Sequence, residues 1–161
     1  MPILDENSLD FISLSPDQTR RMGVRLGSLL KLGDIVCLCG ELGAGKTTLV
    51  QGIAQGWGSA DAVTSPTFVL VNNYRRADGA QMHHLDAYRL QNEMEAEVLD
   101  LDNLMESGIL LVEWPEKIRA ALPDENLWLE MSWIADEQRR IFFIPHGLRY
   151  QQMVQQLRQQ I

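Results

Sequence analysis

The sequence predicts a three-layer α/β fold with a mixed, largely parallel central sheet and added antiparallel strands. After Asp34, residues 35–39 are apolar throughout, as are residues 109–112, which is typical of strands covered by helices on both faces. Segments with helical spacing of apolar residues lie between and around these runs. Extended segments separated by short turns indicate the antiparallel additions. The length of 161 residues predicts one domain over residues 1–161.

The first half of the chain predicts a helix, a strand, a glycine-rich loop and a second helix. Ser15 is a candidate N-cap, Pro16 suits the first helical position, and Gln18 completes a capping box. We expect this helix to end near Gly33, before the strand at 34–39. After the loop, apolar residues recur on one helical face: Leu49, Val50, Ile53, Ala54 and Trp57. Glycines at 56 and 58 predict the end of that helix.

The second half predicts a hairpin, a helix, three strands and a C-terminal helix. The hairpin comprises 68–74 and 81–88, with a turn at 77–79. A helix over 93–105 should precede the strand at 109–112. Two further strands are expected at 126–134 and 138–144. The C-terminal helix carries one apolar stripe, formed by Tyr150, Val154, Leu157 and Ile161.

Charge and composition exclude several functional classes. Fourteen basic and twenty-two acidic residues give a net charge of −8, the opposite of a protein that grips nucleic acid by itself. The sequence shows no signal peptide and no apolar run of roughly 20 residues, so we expect a cytoplasmic protein that does not associate with a membrane. Cys37 and Cys39 lie in the apolar run at 35–39, which favours core thiols over a zinc site.

A phosphate-binding motif lies between the predicted strand and the second helix. Residues 40–47, Gly-Glu-Leu-Gly-Ala-Gly-Lys-Thr, match GxxxxGK[ST] in the expected context, which narrows the fold to a P-loop NTPase. Lys46 should reach the β and γ phosphates, and Thr47 should offer its hydroxyl to Mg²⁺. The absence of an Asn-Lys-x-Asp string favours ATP over GTP. The predicted nucleotide contacts are Glu41, Leu42, Gly43, Ala44, Gly45, Lys46, Thr47 and Thr48.

Two acidic residues follow strand-like runs and are catalytic candidates beside Lys46. Glu113 ends the run 109–112 and fits the Walker-B position, where it would hold Mg²⁺ together with Thr47. Asp86 lies near the end of the second hairpin segment, after its strand-like run, and could orient the attacking water. Which of the two acids does so stays open. Thr67, in a Ser-Pro-Thr-Phe turn, is a candidate γ-phosphate sensor or an ordinary turn residue.

Several other polar residues are open candidates. The adjacent His83 and His84 should face opposite sides of a strand, so we interpret them as core or surface histidines. Positive charge near the nucleotide could come from residues 139–140 or 75–76, although surface arginines are common. Thr19 and Arg140 are candidates for adenine contact.

The chain resembles the TsaE (YjeE) family across nearly its whole length. The resemblance rests on the P-loop block, on Ser-Pro-Thr-Phe at 65–68, on His-Leu-Asp-Ala-Tyr-Arg-Leu at 84–90 and on Val-Glu-Trp-Pro-Glu at 112–116. Ala87 and Leu49 depart mildly, where the family often has leucine and phenylalanine. The resemblance implies an ATPase, weak alone, that works with TsaD and TsaB in N6-threonylcarbamoylation of adenosine in tRNAs reading ANN codons. It also implies that the chain contacts tRNA only indirectly, through the complex. By the same resemblance, Asp86 is required for hydrolysis and Trp114 packs near the site.

Two other functional classes remain open from the residues alone. A small-molecule P-loop kinase would have similar size and the same loop, but such enzymes normally carry an arginine-bearing lid. No long arginine-rich insertion occurs in this sequence. A binding module that uses nucleotide without hydrolysing it is the third class, and in that case Asp86 would be dispensable.

Overall fold

The computed structural model describes residues 6–41, 43–63, 71–90 and 99–161. Two 3₁₀ turns, Pro115–Lys117 and Arg119–Ala121, follow the fifth strand. The strands and α-helices of the described residues are, in chain order, β1 (Leu9–Ser13), α1 (Pro16–Gly27), β2 (Ile35–Cys39), α2 (Lys46–Trp57), β3 (Val71–Arg75), β4 (Gln81–Asp86), α3 (Leu101–Ser107), β5 (Ile109–Glu113), β6 (Asn126–Ala135), β7 (Gln138–His146) and α4 (Leu148–Gln159).

The strands form one mixed sheet in the order β1-β7-β6-β2-β5-β4-β3. The four central strands, β6, β2, β5 and β4, are parallel to one another. The outer strands β1, β7 and β3 add antiparallel pairs. The predicted largely parallel sheet with antiparallel additions is confirmed. Since β2, β5 and β4 point the same way, the loops after them meet at one edge of the sheet.

Alternate residues of β2 face two separate cores, and this gives the three layers. Val36 and Leu38 pack with apolar residues of α1, α2 and α4. Ile35 and Cys37 pack on the opposite face, with Leu101 of α3 and with the 3₁₀ segment. Burial raises the pKa of the Cys37 thiol to about 12. The thiol therefore stays neutral and behaves as the predicted core residue.

Helix α1 begins as the sequence predicts but ends earlier. Ser15 Oγ accepts a hydrogen bond from the Gln18 amide at 3.2 Å, and Gln18 Oε1 accepts one from the Leu14 amide at 2.8 Å. The predicted end near Gly33 was wrong, because the helix stops at Gly27 and the chain continues in tighter turns. Leu30 is nevertheless buried, since these turns still direct it into the core.

Three further details of the prediction need correction. A continuous helix over 93–105 was wrong, because Asp100 has a φ of 53° and α3 begins only at Leu101; residues 93–98 lie outside the described residues. Ile161 does not belong to the C-terminal stripe, since α4 ends at Gln159 and Ile161 is 57% exposed. Strand β1 was not predicted. Residues 68–70 of the predicted hairpin also lie outside the described residues. The antiparallel pairing of 71–75 with 81–85 is confirmed, but the second strand ends at Asp86 instead of residue 88.

Helices α1 and α2 approach each other at backbone contact. A Cβ atom added to Gly27 would lie 2.0 Å from the Ile53 carbonyl oxygen. One added to Gly52 would lie 2.1 Å from the Arg20 carbonyl oxygen, and one added to Gly56 would lie 2.0 Å from that of Val24. Glycine at these positions lets α1 brace the helix that follows the P-loop.

We expect Gly27→Ala to lower the free energy of unfolding by about 2–3 kcal/mol. The new methyl group would collide with helix backbone, which cannot rotate away, and this outweighs a gain in helix propensity of about 1 kcal/mol. Urea unfolding monitored by circular dichroism measures the change. Gln55→Ala, on the exposed side of α2, is the matched control and should change stability by less than about 0.5 kcal/mol. Equal unfolding midpoints for the two variants would contradict this account.

Candidate active site

The P-loop connects the end of β2 to the start of α2. At Gly40 a Cβ atom would lie 2.6 Å from the Met131 carbonyl oxygen, because the loop passes close to β6. Gly45 adopts a φ of 96°, a left-handed conformation that suits glycine. The loop therefore needs glycine at both positions, and its predicted place between strand and helix is confirmed. Leu42 lies outside the described residues.

The N-terminus of α2 is suited to bind an anion. Its N-cap residue is Gly45, which has no side chain to cap the amides of the first turn. Lys46, Thr47 and Thr48 occupy that first turn, and Thr47 is exposed. Amides at a helix N-terminus together with the helix dipole favour phosphate. These amide donors fit the phosphates of a nucleoside triphosphate, and the Thr47 hydroxyl fits a ligand of a phosphate-bound Mg²⁺.

Lys46 is a buried cation held inside the site. Its Nζ donates a hydrogen bond to the Gly40 carbonyl oxygen at 2.6 Å and lies 4.0 Å from the centre of the Trp114 ring. The residue is only 5% exposed. Burial lowers the pKa of Lys46, and the nearby carboxylates of Glu113 and Asp86 oppose this shift. The lysine thus lies within electrostatic reach of both predicted acids.

Asp86 and Glu113 end two neighbouring parallel strands in register. They are directly paired residues of β4 and β5, so both carboxylates emerge at the edge of the sheet near the P-loop. Glu113 is 7% exposed, whereas Asp86 is half-buried. Asp86 Oδ1 accepts a hydrogen bond from the Tyr88 amide at 2.9 Å. The structure therefore brings Lys46, Asp86 and Glu113 together next to the P-loop, as expected for a site that binds phosphate with a lysine and carboxylates.

His84 contacts Glu113 directly, which the sequence did not indicate. The two adjacent histidines are both buried, in agreement with a core position, and they face opposite sides of β4. His84 Nε2 lies 2.7 Å from Glu113 Oε2. His83 instead contacts Asn73 Oδ1 at 2.6 Å and Ser107 Oγ at 2.9 Å. The spacing of His84 two residues before Asp86, on the same face of a strand, was the available signal.

Trp114 covers the site from the loop after β5. It adopts a φ of 57°, a conformation that non-glycine residues rarely adopt, and Pro115 then opens a 3₁₀ turn. Its ring lies 4.9 Å, centre to centre, from that of Tyr88. The position beside Lys46 agrees with the packing that the resemblance implied.

The arginine candidates separate into different places. Arg139 Nε donates a hydrogen bond to the Gly43 carbonyl oxygen at 3.2 Å, so this arginine contacts the P-loop. Arg140 forms two hydrogen bonds with Asp10, at 2.8 and 2.6 Å. Arg76 pairs with Asp78 at 2.7 Å, in the β3–β4 turn. Arg139 is therefore the arginine that these contacts place at the loop.

Thr19 is buried between α1 and β1. It is 1% exposed, and its hydroxyl lies 2.7 Å from Ser13 Oγ. Its adenine contact, like that of Arg140, stays a prediction. Thr67 lies outside the described residues, so its role as a phosphate sensor also stays a prediction.

Comparison with known proteins identifies the family. The sequence profile described as "Threonylcarbamoyl adenosine biosynthesis protein TsaE" matches residues 13–141, which include the P-loop, Asp86 and Glu113. The chain belongs to the TsaE family. The matched region also covers α1, α2 and all strands from β2 to β6, so TsaE membership concerns most of the fold.

Individual TsaE relatives agree over most of their length. A Bacillus subtilis protein named "tRNA threonylcarbamoyladenosine biosynthesis protein TsaE" is 36% identical over 92% of this chain and 93% of its own. A Streptomyces coelicolor protein of the same name is 42% identical over 81% of this chain and 93% of its own. A crystal structure of Bacillus subtilis YdiB superposes with a TM-score of 0.79 at 32% identity, covering 95% of each chain.

In the part of the chain that the structure describes, no helix is suited to cross a membrane. None of the helices at 16–27, 46–57, 101–107 and 148–159 has the length and apolar character needed to cross a bilayer.

Proposed function

We propose that this chain is the ATP-binding and ATP-hydrolysing accessory subunit required for N6-threonylcarbamoylation of adenosine in tRNAs that read ANN codons. In this proposal it acts in the cytoplasm with TsaD and TsaB. The observation that carries it is the convergence of Lys46, Asp86 and Glu113 at the mouth of the P-loop. Membership of the TsaE family supports the connection to this tRNA modification.

Nucleotide binding would use the loop backbone and Lys46. The amides of residues 43–48 and the N-terminus of α2 would bind the phosphates, and Lys46 would leave the Gly40 carbonyl oxygen for the β and γ phosphates. Thr47 and Glu113 would hold Mg²⁺, which offsets the charge that develops during phosphoryl transfer. Arg139 adds positive charge against the loop at Gly43.

Hydrolysis would use Asp86 to orient the attacking water. Asp86 is half-buried at the end of β4. The neighbouring strand β5, which ends in Glu113, lies between β4 and the P-loop strand β2. The bond of Asp86 with the Tyr88 amide fixes one oxygen, and the carboxylate can accept from water. In this proposal Glu113 binds Mg²⁺ and Asp86 orients the attacking water.

Contact with tRNA would be indirect. The net charge of −8 opposes independent binding to a polyanion, so the partner proteins would hold the tRNA. Hydrolysis in the accessory subunit would then serve to drive the complex through its cycle.

Magnesium-dependent ATP hydrolysis tests this function, measured for the chain alone and with TsaB and TsaD. We expect weak hydrolysis alone, stimulation by the partners and loss of the stimulated activity in Glu113→Ala. Formation of threonylcarbamoyl adenosine in tRNA should require the wild-type chain. Phosphate transfer to a metabolite without any partner effect would instead support a small-molecule kinase. Unchanged tRNA modification with an inactive ATPase variant would support a binding module that does not hydrolyse nucleotide.

A further inference from the structure

A buried chain of polar side chains extends from β3 through β4 to the end of β5. The Tyr74 hydroxyl lies 2.9 Å from His84 Nδ1, and His84 Nε2 lies 2.7 Å from Glu113 Oε2. Tyr74, His84 and Glu113 are 2%, 1% and 7% exposed. Strand pairing fixes their relative positions, because β4 lies between β3 and β5. We call these three residues the Tyr-His-Glu chain.

The directions of these hydrogen bonds follow from the chemistry of the groups. An ionised Glu113 can only accept, so His84 Nε2 must carry the proton and donate. In a neutral ring Nδ1 then accepts, and the Tyr74 hydroxyl donates to it. One tautomer therefore satisfies both ring nitrogens, and the ring cannot flip without losing both bonds.

We propose that His84, oriented by Tyr74, is a positioning residue for Glu113. The proposal rests on the proposed role of Glu113 in holding Mg²⁺ with ATP. By holding Oε2, His84 fixes the rotamer of a carboxylate that would otherwise pivot about its three side-chain torsions. The carboxylate is then already oriented for the metal when nucleotide arrives. His84 acts through Glu113 and is not itself a ligand.

Burial shows why a polar partner is needed at this position. The Glu113 side chain is only 10% exposed, so little water solvates its carboxylate, and a hydrogen-bond donor offsets the cost of its burial. Residues that orient a metal-binding carboxylate typically change metal affinity or activity by about 10–100-fold when they are removed. The neighbouring His83 meets the same core requirement with Asn73 and Ser107, on the other face of β4. It therefore provides an internal comparison.

The test measures ATP binding by calorimetry across a series of free Mg²⁺ concentrations. Mg²⁺ should increase ATP affinity, and the measured quantity is the Mg²⁺ concentration that gives half of this increase. We expect this half-maximal concentration to be about 10–100-fold higher in His84→Leu than in wild type. ATP affinity without metal should stay unchanged, because the loop amides and Lys46 are intact. His84→Gln should restore most of the metal response, since its amide can donate to Glu113. Tyr74→Phe should shift the response in the same direction by a smaller factor.

His83→Leu is the matched control, as it also removes a buried histidine from β4. It should lower thermal stability without changing the Mg²⁺ requirement. The same Mg²⁺ requirement in His84→Leu, His83→Leu and wild type would overturn the positioning role. If His84→Leu does not fold, Tyr74→Phe decides, and an unchanged Mg²⁺ response in that variant overturns the proposal. ATP binding by the wild type that does not respond to Mg²⁺ at all would instead overturn the proposed function itself.

Discussion

Lys46→Ala is expected to lower magnesium-dependent ATP hydrolysis by at least about a hundredfold, the scale seen when one preorganised electrostatic contact to a transition state is removed. Lys46 is 5% exposed and already lies near Glu113 and Asp86. Its charge therefore acts in a poorly solvated site, where an electrostatic interaction is stronger than in water. Alanine would also remove a buried positive charge that interacts with both carboxylates. We therefore expect ATP affinity and turnover to fall together.

Hydrolysis in the presence of the partner proteins, together with calorimetric ATP binding, checks this expectation. Lys31→Ala is the matched control, because Lys31 is exposed in the connection between α1 and β2, at the other end of β2. It should retain wild-type binding and turnover. Thermal unfolding of both variants separates a lost contact from a lost fold. Full ATP affinity in Lys46→Ala would contradict the assignment of this loop as the phosphate site.

The parts of the site that are local in sequence could be predicted from it. The P-loop is one continuous segment, and its glycines, Lys46 and Thr47 have fixed spacing within it. Glu113 was also predictable, since an unbroken apolar run identifies a buried parallel strand and the acid directly follows it. The sheet's parallel centre followed from the same two runs. These features depend on chain order more than on three-dimensional contacts.

The parts that depend on contacts between distant segments were missed. The bond between His84 and Glu113 exists because β4 pairs with β5 in one register, which no local pattern states. Strand β1 was missed because its half-exposed sequence has weak alternation, and pairing with β7 fixes it. The close approach of α1 and α2 was missed because Gly56, which lies at that contact, was interpreted only as a helix stop. The predicted end of α1 was wrong because Leu30 is buried without being helical.

Asp86→Asn is expected to lower ATP hydrolysis by about 10²–10⁴-fold while it leaves ATP affinity within about twofold of wild type. The asparagine has nearly the same shape as the aspartate. Its Oδ1 can still accept the hydrogen bond that the Tyr88 amide donates to Asp86 Oδ1 at 2.9 Å. An amide cannot take a proton from water, so the loss should appear in turnover and not in binding. Single-turnover hydrolysis with saturating ATP, beside calorimetric binding, separates these two quantities.

Asp61→Asn is the matched control for this substitution, because Asp61 also accepts a backbone amide, that of Arg75, at 2.8 Å. It should leave both quantities unchanged. Glu113→Gln completes the comparison, since a weaker metal ligand should raise the Mg²⁺ requirement as well as lower turnover. If Asp86→Asn shifts the Mg²⁺ requirement while Glu113→Gln changes turnover alone, the two acids have exchanged roles. Asp86 and Glu113 are paired at the ends of β4 and β5, so either carboxylate is positioned for either role. Only the two substitutions measured together therefore decide which carboxylate orients the water.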